Sequence, residues 1–381
     1  MNKPTGIPQI AFIDLLAQRR RLGARIDEAV LRVIDHGGYI MGPEVKQLEA
    51  DLSAFCGAKE VVSCSNGTDA LTLVLRAQGV GPGDAVLCPS FTFAATAEVV
   101  ALAGATPVFV DIDAETFNMN GESLKAGVAE AARAGLKPVA VIPVDLFGLP
   151  ADYDTLLPIA EEAGLWVLSD AAQSFGGVYK GRKVGTFGVA TSTSFFPAKP
   201  LGCYGDGGAI FTDDAELAAV MRSLRVHGQG SDKYDNVRIG INGRLDTVQA
   251  AILIEKLKIF PEEIEMRDRV ARRYNDGLRD VAVVPETPEG SVSTWAQYTL
   301  RVKNRDAVAA DLKQRGVPTA VYYPKPLHLQ TAYRGFPVAG GALPVSEQLA
   351  TEVISLPMHP YLEAESQDWI IDNVADAIRS A

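Results

Sequence analysis

The chain has 381 residues, of which 47% are hydrophobic and 22% are charged, an ordinary composition for a globular protein of about two domains. Its formal net charge of −11 argues against a nucleic-acid-binding protein, which would need a basic face. An acidic chain can still bind an anionic small molecule if the pocket itself is locally basic.

The cysteines and the N-terminus indicate the compartment. The four cysteines form no Cys-x-x-Cys pair, and three lie in apolar or strand-like stretches, so we expect buried, reduced thiols. The first six residues lack an apolar signal core, and no apolar run reaches membrane-spanning length. We therefore expect a cytoplasmic protein with no membrane partner.

The predicted elements begin with helices. Apolar residues at helical spacing predict a first helix over 17–33, and a second opens at Pro43 and runs to about Phe55. Short apolar strands are then predicted at 61–64, 85–89, 107–111, 138–144 and 165–170. Helices at 69–76, 94–103 and 153–163 alternate with them. This alternation indicates an α/β domain whose mostly parallel sheet is covered on both faces.

The pattern changes beyond Gly243. A long helical stretch over 246–279, interrupted by Pro261, leads into a mixture of strands and helices that ends in a helix over 366–380. We expect residues 1–245 to form a large α/β domain. Residues 246–381 would supply the linking helix and a small C-terminal α+β domain.

One lysine lies between residues that interrupt regular secondary structure. A β-prone run over 191–196 is broken by Pro197, and Lys199 follows, before a glycine-rich turn and an apolar strand over 209–212. Because Pro197 cannot donate to a β-ladder and glycine permits unusual backbone angles, we expect Lys199 on a sharp turn at a strand end. Open α/β sheets bind their ligands at such ends. Taken alone, a solvated surface lysine is the commoner outcome.

Two further motifs lie at predicted strand ends. Ser-Asn-Gly-Thr, residues 65–68, joins a strand to a helix, where unpaired N–H groups hold either a phosphate or simply an N-cap. Asp170 ends another strand and is followed by Ala-Ala-Gln173. Its carboxylate could keep a ring nitrogen protonated, or it could cap a turn.

The remaining candidates are less specific on their own. Phe91 and Phe93 follow a strand, and either could stack on a planar ligand or pack in the core. Asn242 and Arg244 flank a glycine before a helix, which suits an anion site or an exposed loop. No Gly-x-Gly-x-x-Gly pattern follows a strand, which weakens a dinucleotide-binding interpretation.

Taken together, these motifs resemble the DegT/StrS group of pyridoxal-phosphate sugar aminotransferases. The resemblance extends over residues 38–360. It rests on Ser-Asn-Gly-Thr-Asp-Ala, Asp-Ala-Ala-Gln-Ser, Ser-Phe-Phe-Pro-Ala-Lys and Gly-Asp-Gly-Gly, in that order. It implies the fold type I architecture, with a mixed, mostly parallel seven-stranded sheet and a smaller C-terminal α+β domain. It also implies an enzyme that uses pyridoxal 5′-phosphate (PLP) and its amino form (PMP), with no metal.

The resemblance also implies a role for each motif. Lys199 would carry the Schiff base, Asp170 would pair with the pyridine nitrogen, and Gln173 would bond the ring hydroxyl. Phe93 would stack on the ring. The phosphate would be held by Gly67, Thr68, Ser194 and, from the partner subunit, Asn242. A homodimer with shared active sites is therefore expected.

A subgroup of the family is indicated by Lys199-Pro200, where many members have Lys-Asn, and by the segment Tyr-Tyr-Pro-Lys-Pro-Leu-His at 322–328. That subgroup transfers the amino group of glutamate to UDP-2-acetamido-2-deoxy-3-oxo-glucuronate, for surface polysaccharides such as the O-antigen of lipopolysaccharide. Arg244, His328 and Tyr323 would then bind the sugar. A plain packed role for His328 stays open.

Other functions stay open within this fold. The sugar could instead be a 3- or 4-keto-deoxyhexose linked to dTDP, UDP or GDP, because pocket shape decides such choices. Known dehydratases of the family replace the lysine with histidine, so Lys199 argues against that activity. A regulator that binds PLP without catalysis is the alternative from another class.

Overall fold

The computed structural model describes residues 10–232 and 234–381; the segment 1–6, which lacks an apolar signal core, lies outside them. It contains twelve strands: β1 (Glu60–Cys64), β2 (Asp84–Pro89), β3 (Thr106–Val110), β4 (Lys137–Val141), β5 (Trp166–Asp170), β6 (Val178–Tyr179), β7 (Arg182–Lys183), β8 (Ala190–Ser194), β9 (Gly208–Thr212), β10 (Ser291–Val292), β11 (Tyr298–Arg301) and β12 (Val353–Leu356).

Thirteen α-helices accompany these strands in the described residues. They are α1 (Leu15–Leu22), α2 (Ala24–His36), α3 (Pro43–Cys56), α4 (Gly67–Ala77), α5 (Ala95–Leu102), α6 (Gly121–Arg133), α7 (Tyr153–Glu162), α8 (Ala215–Leu224), α9 (Thr247–Leu257), α10 (Phe260–Leu278), α11 (Arg305–Gln314), α12 (Pro344–Glu352) and α13 (Ala364–Ser380).

Seven strands form the main sheet, in the order β1-β9-β8-β5-β4-β2-β3. Strand β9 pairs antiparallel with β1 and β8, and every other neighbouring pair is parallel. The predicted mixed, mostly parallel sheet of seven strands is thus confirmed. The ends of β5 and β8 lie side by side, because Asp170 is the register partner of Ser192.

Apolar residues on both faces of this sheet are buried. Alternate residues of β2 point to opposite faces: Val86 and Cys88 pack with α4 and α5, whereas Ala85 and Leu87 pack with α6 and α7. This two-sided burial explains why the strands are continuous apolar runs rather than alternating patterns. The four cysteines are all buried and unpaired, as predicted.

The C-terminal part has its own apolar cluster. Strands β11 and β12 pair antiparallel, and α10, α11 and α13 pack around Tyr274, Tyr298 and Trp369. The helical stretch predicted over 246–279 is two helices, α9 and α10, and Pro261 lies in the first turn of the second. The division of the chain at residue 245 stays a prediction.

The first predicted helix is wrong in one respect. Residues 15–36 form two helices instead of one, because Gly23 between them has φ 56° and ψ −137°, which no helix accommodates. The side chain of Arg19 also donates to the carbonyl oxygen of Gly23, at 2.6 Å. In the described part of the chain, no helix is both long and apolar enough to cross a membrane.

Candidate active site

Lys199 lies on a tight turn that follows β8. Its backbone N–H donates to the carbonyl oxygen of Phe196 at 2.8 Å. A side chain at Gly202 would place Cβ 2.6 Å from the carbonyl oxygens of both Phe196 and Pro197, so the turn can close only over glycine. The predicted sharp turn at a strand end is therefore confirmed.

Asp170 is the last residue of β5 and lies next to this turn. Its buried carboxylate accepts from Thr96 Oγ1 at 3.2 Å and from the Ala172 N–H at 3.1 Å. Burial raises the pKa of Asp170, while the Ala172 N–H, Lys199 and Thr96 oppose that shift. Burial likewise lowers the pKa of Lys199, against the attraction of Asp170. The structure thus brings the two predicted catalytic groups together.

Gln173 is fixed from two sides. Its Oε1 accepts from the Phe147 N–H at 2.7 Å, and its carbonyl oxygen accepts from Thr294 Oγ1 at 2.6 Å. The hydroxyl of Tyr323 lies within hydrogen-bonding reach of the Gln173 side chain. Burial raises the pKa of Tyr323, and this contact with Gln173 opposes the rise. Gln173, predicted to bind the cofactor, and Tyr323, predicted to bind the substrate, are therefore neighbours.

The motif at 65–68 caps the start of α4 and also brings the backbone at Gly67 close to Ser194. Asn66 Oδ1 accepts from the Asp69 N–H at 2.7 Å, so the capping interpretation is confirmed. Gly67 begins α4, and a Cβ there would lie 2.7 Å from Ser194 Cβ. The open first turn of α4, including Thr68, therefore lies against the end of β8. Such a helix N-terminus suits a phosphate group.

The two aromatic residues after β2 have different environments. Phe91 is 1% exposed and contacts Phe117 and Tyr323, with ring centroids 6.4 and 6.0 Å away. Phe93 is 58% exposed. Phe91 is therefore a core residue, whereas Phe93 offers a free ring face to a planar ligand.

The loop with Asn242 and Arg244 adjoins the start of α4, because the Ser65 N–H donates to the Gly243 carbonyl oxygen at 3.1 Å. Arg244 Nη2 donates to Asn242 Oδ1. The buried Nε of Arg244 has no hydrogen-bond partner in the part of the chain that the structure describes. Asn242 itself is exposed. Donor capacity in this loop is thus left over for a ligand.

His328 is held by both ring nitrogens. Nδ1 lies 2.6 Å from Ser90 Oγ, and Nε2 lies 3.3 Å from Glu347 Oε1. Its backbone N–H also donates to Ser90 Oγ, at 3.1 Å. These contacts are the ones that a packed loop histidine would make, and they leave a sugar-binding role for His328 without direct support.

Two polar residues near the site were missed from the sequence. Thr96 on α5 donates to Asp170, and Asp145, just beyond β4, donates its backbone N–H to the Asp170 carbonyl oxygen at 3.0 Å. Asp145 carries the same signal that singled out Asp170, an acid directly after an apolar strand. Thr96 has no such signal, because only the tertiary contact distinguishes it.

The sheet order and this constellation define an enzyme of the fold type I class. The family described as DegT/DnrJ/EryC1/StrS aminotransferases matches residues 20–375. The chain belongs to this family, and the predicted family, fold type and aminotransferase class are confirmed. The roles of the individual site residues stay predictions.

Three relatives illustrate the similarity. The UDP-2-acetamido-2-deoxy-3-oxo-D-glucuronate aminotransferase of Pseudomonas aeruginosa is 51% identical over 94% of this chain and 97% of its own. A pleiotropic regulatory protein of Geobacillus stearothermophilus is 42% identical, over 97% and 99%. The crystal structure of a Brucella abortus aminotransferase of this family is 56% identical, with a TM-score of 0.94, over 96% and 98%. Other solved structures of this fold hold PMP or are in a PLP form.

Proposed function

We propose that this PLP-dependent sugar aminotransferase transfers the amino group of glutamate to carbon 3 of UDP-2-acetamido-2-deoxy-3-oxo-glucuronate. The similarity to the Pseudomonas aeruginosa enzyme of that name supports this sugar over the deoxyhexoses. The product would enter a surface polysaccharide such as an O-antigen, and the enzyme would act in the cytoplasm as a homodimer. The single observation that carries the proposal is that Lys199, on the turn after β8, lies close enough to the buried Asp170 carboxylate for each charge to shift the other group's pKa.

The residues present fit the cofactor. The first turn of α4 offers N–H groups to a phosphate, and only glycine at position 67 permits its contact with Ser194. The exposed ring of Phe93 suits one face of a pyridine, and the buried Asp170 carboxylate suits a ring nitrogen. Lys199 supplies a primary amine for an aldehyde.

The chain's residues would then divide the reaction between them. When bound, PLP withdraws electrons from the carbon that exchanges the amino group. Lys199 Nζ would bind the aldehyde at rest and, once displaced by glutamate, would move the proton between cofactor and sugar carbon. Asp170 would hold the proton on the ring nitrogen, which favours electron withdrawal. Gln173, fixed by Phe147 and Thr294, would orient the ring hydroxyl.

We assign the sugar to the loop that contains Arg244, beside the first turn of α4. Arg244 has a buried Nε free to donate, and a guanidinium is the side chain that binds a carboxylate with two parallel bonds. Tyr323 would contact the sugar from beside Gln173. Asn242 is exposed on the surface, so it would be able to reach the phosphate bound in the partner subunit.

A half-reaction screen tests the proposal. The PMP form of the enzyme is mixed with a panel of nucleotide keto-sugars, and the return of the visible PLP band is followed. We expect the 3-oxo-glucuronate to react best, and Arg244→Gln to lose affinity for it by about tenfold or more. The neutral deoxyhexoses should be unaffected by that substitution. Preference of the wild type for a neutral sugar would contradict the proposal.

A regulator that binds PLP without turnover is the second candidate, because one relative is named a regulatory protein. Addition of glutamate to the PLP-loaded protein separates the two. A transaminase loses its visible band as the amino group moves to the cofactor, and 2-oxoglutarate restores it. A regulator keeps the band unchanged.

A further inference from the structure

Asp145 is a buried carboxyl group that the proposed reaction does not use. It follows the end of β4, where Val144 forms a β-bridge with Asp170, and it is 0% exposed. Its backbone N–H donates to the Asp170 carbonyl oxygen at 3.0 Å. Asp145 and Asp170 are therefore adjacent at the edge of the sheet where the candidate site lies.

The Asp145 carboxylate is held by three donors. Oδ1 accepts from the Ala151 N–H at 2.9 Å and from the Tyr153 hydroxyl at 2.7 Å, and Oδ2 accepts from Ser174 Oγ at 2.5 Å. The Tyr153 oxygen lies 2.6 Å from Ser169 Oγ, which completes a chain to the residue before Asp170. The carboxylate thus contacts Ser174 directly and reaches Ser169 through Tyr153.

These two connections enclose the segment that carries Asp170 and Gln173. Ser169 precedes Asp170, and Ser174 follows Gln173, so one carboxylate is tied to both ends of the stretch 169–174, which comprises the end of β5 and the turn after it. The buried environment strengthens each of these hydrogen bonds, since no water competes for the groups. The turn can then shift only if this network breaks.

We infer that Asp145 is a positioning residue that fixes the 169–174 turn and thereby orients Asp170 and Gln173 toward the cofactor ring. The inference rests on the proposed cofactor contacts of those two residues. Asp145 itself contacts neither cofactor nor substrate in this scheme. It acts through Tyr153 and Ser174.

The groups around Asp145 allow its protonation state, and with it the hydrogen-bond network, to change with pH. The titratable groups that face it are Tyr153 on α7 and Asp170 on β5, and neither is a cation. Burial raises the pKa of Asp145 to about 7, and Asp170 adds to that shift, while Ser174, Ala151 and Tyr153 oppose it. The orientation of a bound cofactor should therefore vary with pH near neutrality, and an asparagine at 145 should remove that variation.

Asp111 provides a matched control. It follows β3, is also buried, and accepts from the Val345 N–H at 3.0 Å and from the Ser346 hydroxyl at 2.6 Å. It is thus a second hydrogen-bonded strand-end aspartate. The partners of its carboxylate are the neighbouring Ile112 N–H and residues of α12, and none lies on the 169–174 turn.

The experiment compares Asp145→Asn, Ser174→Ala and Asp111→Asn as PLP-loaded enzymes. Visible circular dichroism reports how the cofactor is oriented, and stopped-flow absorbance reports the glutamate half-reaction. We expect Asp145→Asn to lose at least about half of the dichroism per bound PLP, to lose its pH dependence near 7, and to react tenfold to a hundredfold more slowly. Asp111→Asn should keep wild-type values, and Ser174→Ala should be intermediate.

Unchanged dichroism and rate in Asp145→Asn would overturn the inference, as would an equal loss in Asp111→Asn. If Asp145→Asn does not fold, Ser174→Ala and Tyr153→Phe decide, since each removes one connection; wild-type dichroism in both overturns the inference. A wild type that binds PLP with a dichroic band yet ignores glutamate refutes the proposed donor. The dichroism still tests Asp145 in that case.

Discussion

Gly67→Ala is the substitution whose effect the structure defines best. The added Cβ would lie 2.7 Å from Ser194 Cβ and 3.2 Å from Ser194 Oγ. Two carbon atoms pack at about 3.5–4.0 Å, so the first turn of α4 and the end of β8 must separate by about 1 Å. Overpacking of this kind costs about 1–3 kcal/mol.

The strain falls on the proposed phosphate site, because its two walls, the first turn of α4 and the end of β8, are the elements that separate. We expect the Kd for PLP to rise by about tenfold to a hundredfold, since about 1.4 kcal/mol corresponds to a factor of ten. Equilibrium titration of the apoenzyme, followed by visible absorbance, measures this change. The control is Gly335→Ala, whose Cβ would meet no atom within 4 Å. An unchanged Kd in Gly67→Ala would refute the assignment of the phosphate to this turn.

Three further substitutions distinguish residues of the proposed site from residues that stabilise the fold. Phe93→Ala should weaken PLP binding by about twofold to tenfold, through lost stacking, with little change in Tm because the ring is exposed. Phe91→Ala should instead destabilise the fold by about 3–5 kcal/mol. Lys256 is buried and donates to the Gly202 carbonyl oxygen at 2.6 Å, and burial lowers its pKa to about 8. Above pH 8 the unfolded chain therefore binds more protons than the native state, so this lysine makes stability rise between pH 8 and about 10. Urea unfolding at pH 7.5 and 9.5 should show that Lys256→Met lacks this contribution.

Specific results would contradict the predictions for Phe93 and Lys256. Wild-type PLP affinity in Phe93→Ala would show that the exposed ring does not stack on the cofactor. An identical change in the free energy of unfolding between the two pH values, in wild type and in Lys256→Met, would show that the ammonium keeps an ordinary pKa.

The fold was readable because its strands are buried on both faces. Runs such as 61–64 and 165–168 are apolar apart from Ser63, and such runs between helical patterns are typical of a parallel sheet. The break at Gly23 was missed because glycine also occurs inside helices, and only its backbone angles end α1. Helix α6 was missed as well, although Asn120 caps it by accepting from the Ser123 N–H.

The site residues that could be predicted are ionisable side chains at or shortly after the end of a strand. Lys199 and Asp170 carry that signal and lie together. The fates of Phe91 and Phe93 were not predictable, because both follow the same strand and only packing distinguishes them. His328 contacts Ser90, 238 residues away along the chain, so its neighbours could not be inferred from local sequence.

One amine, that of Lys199 on the turn after β8, is expected to bind the cofactor. Borohydride reduction of the PLP-loaded enzyme fixes the bond, and peptide mass spectrometry then identifies the modified lysine. We predict the pyridoxyl group on Lys199 alone, with none on the buried Lys256. A pyridoxyl group on any other lysine, with Lys199 unmodified, would contradict the account.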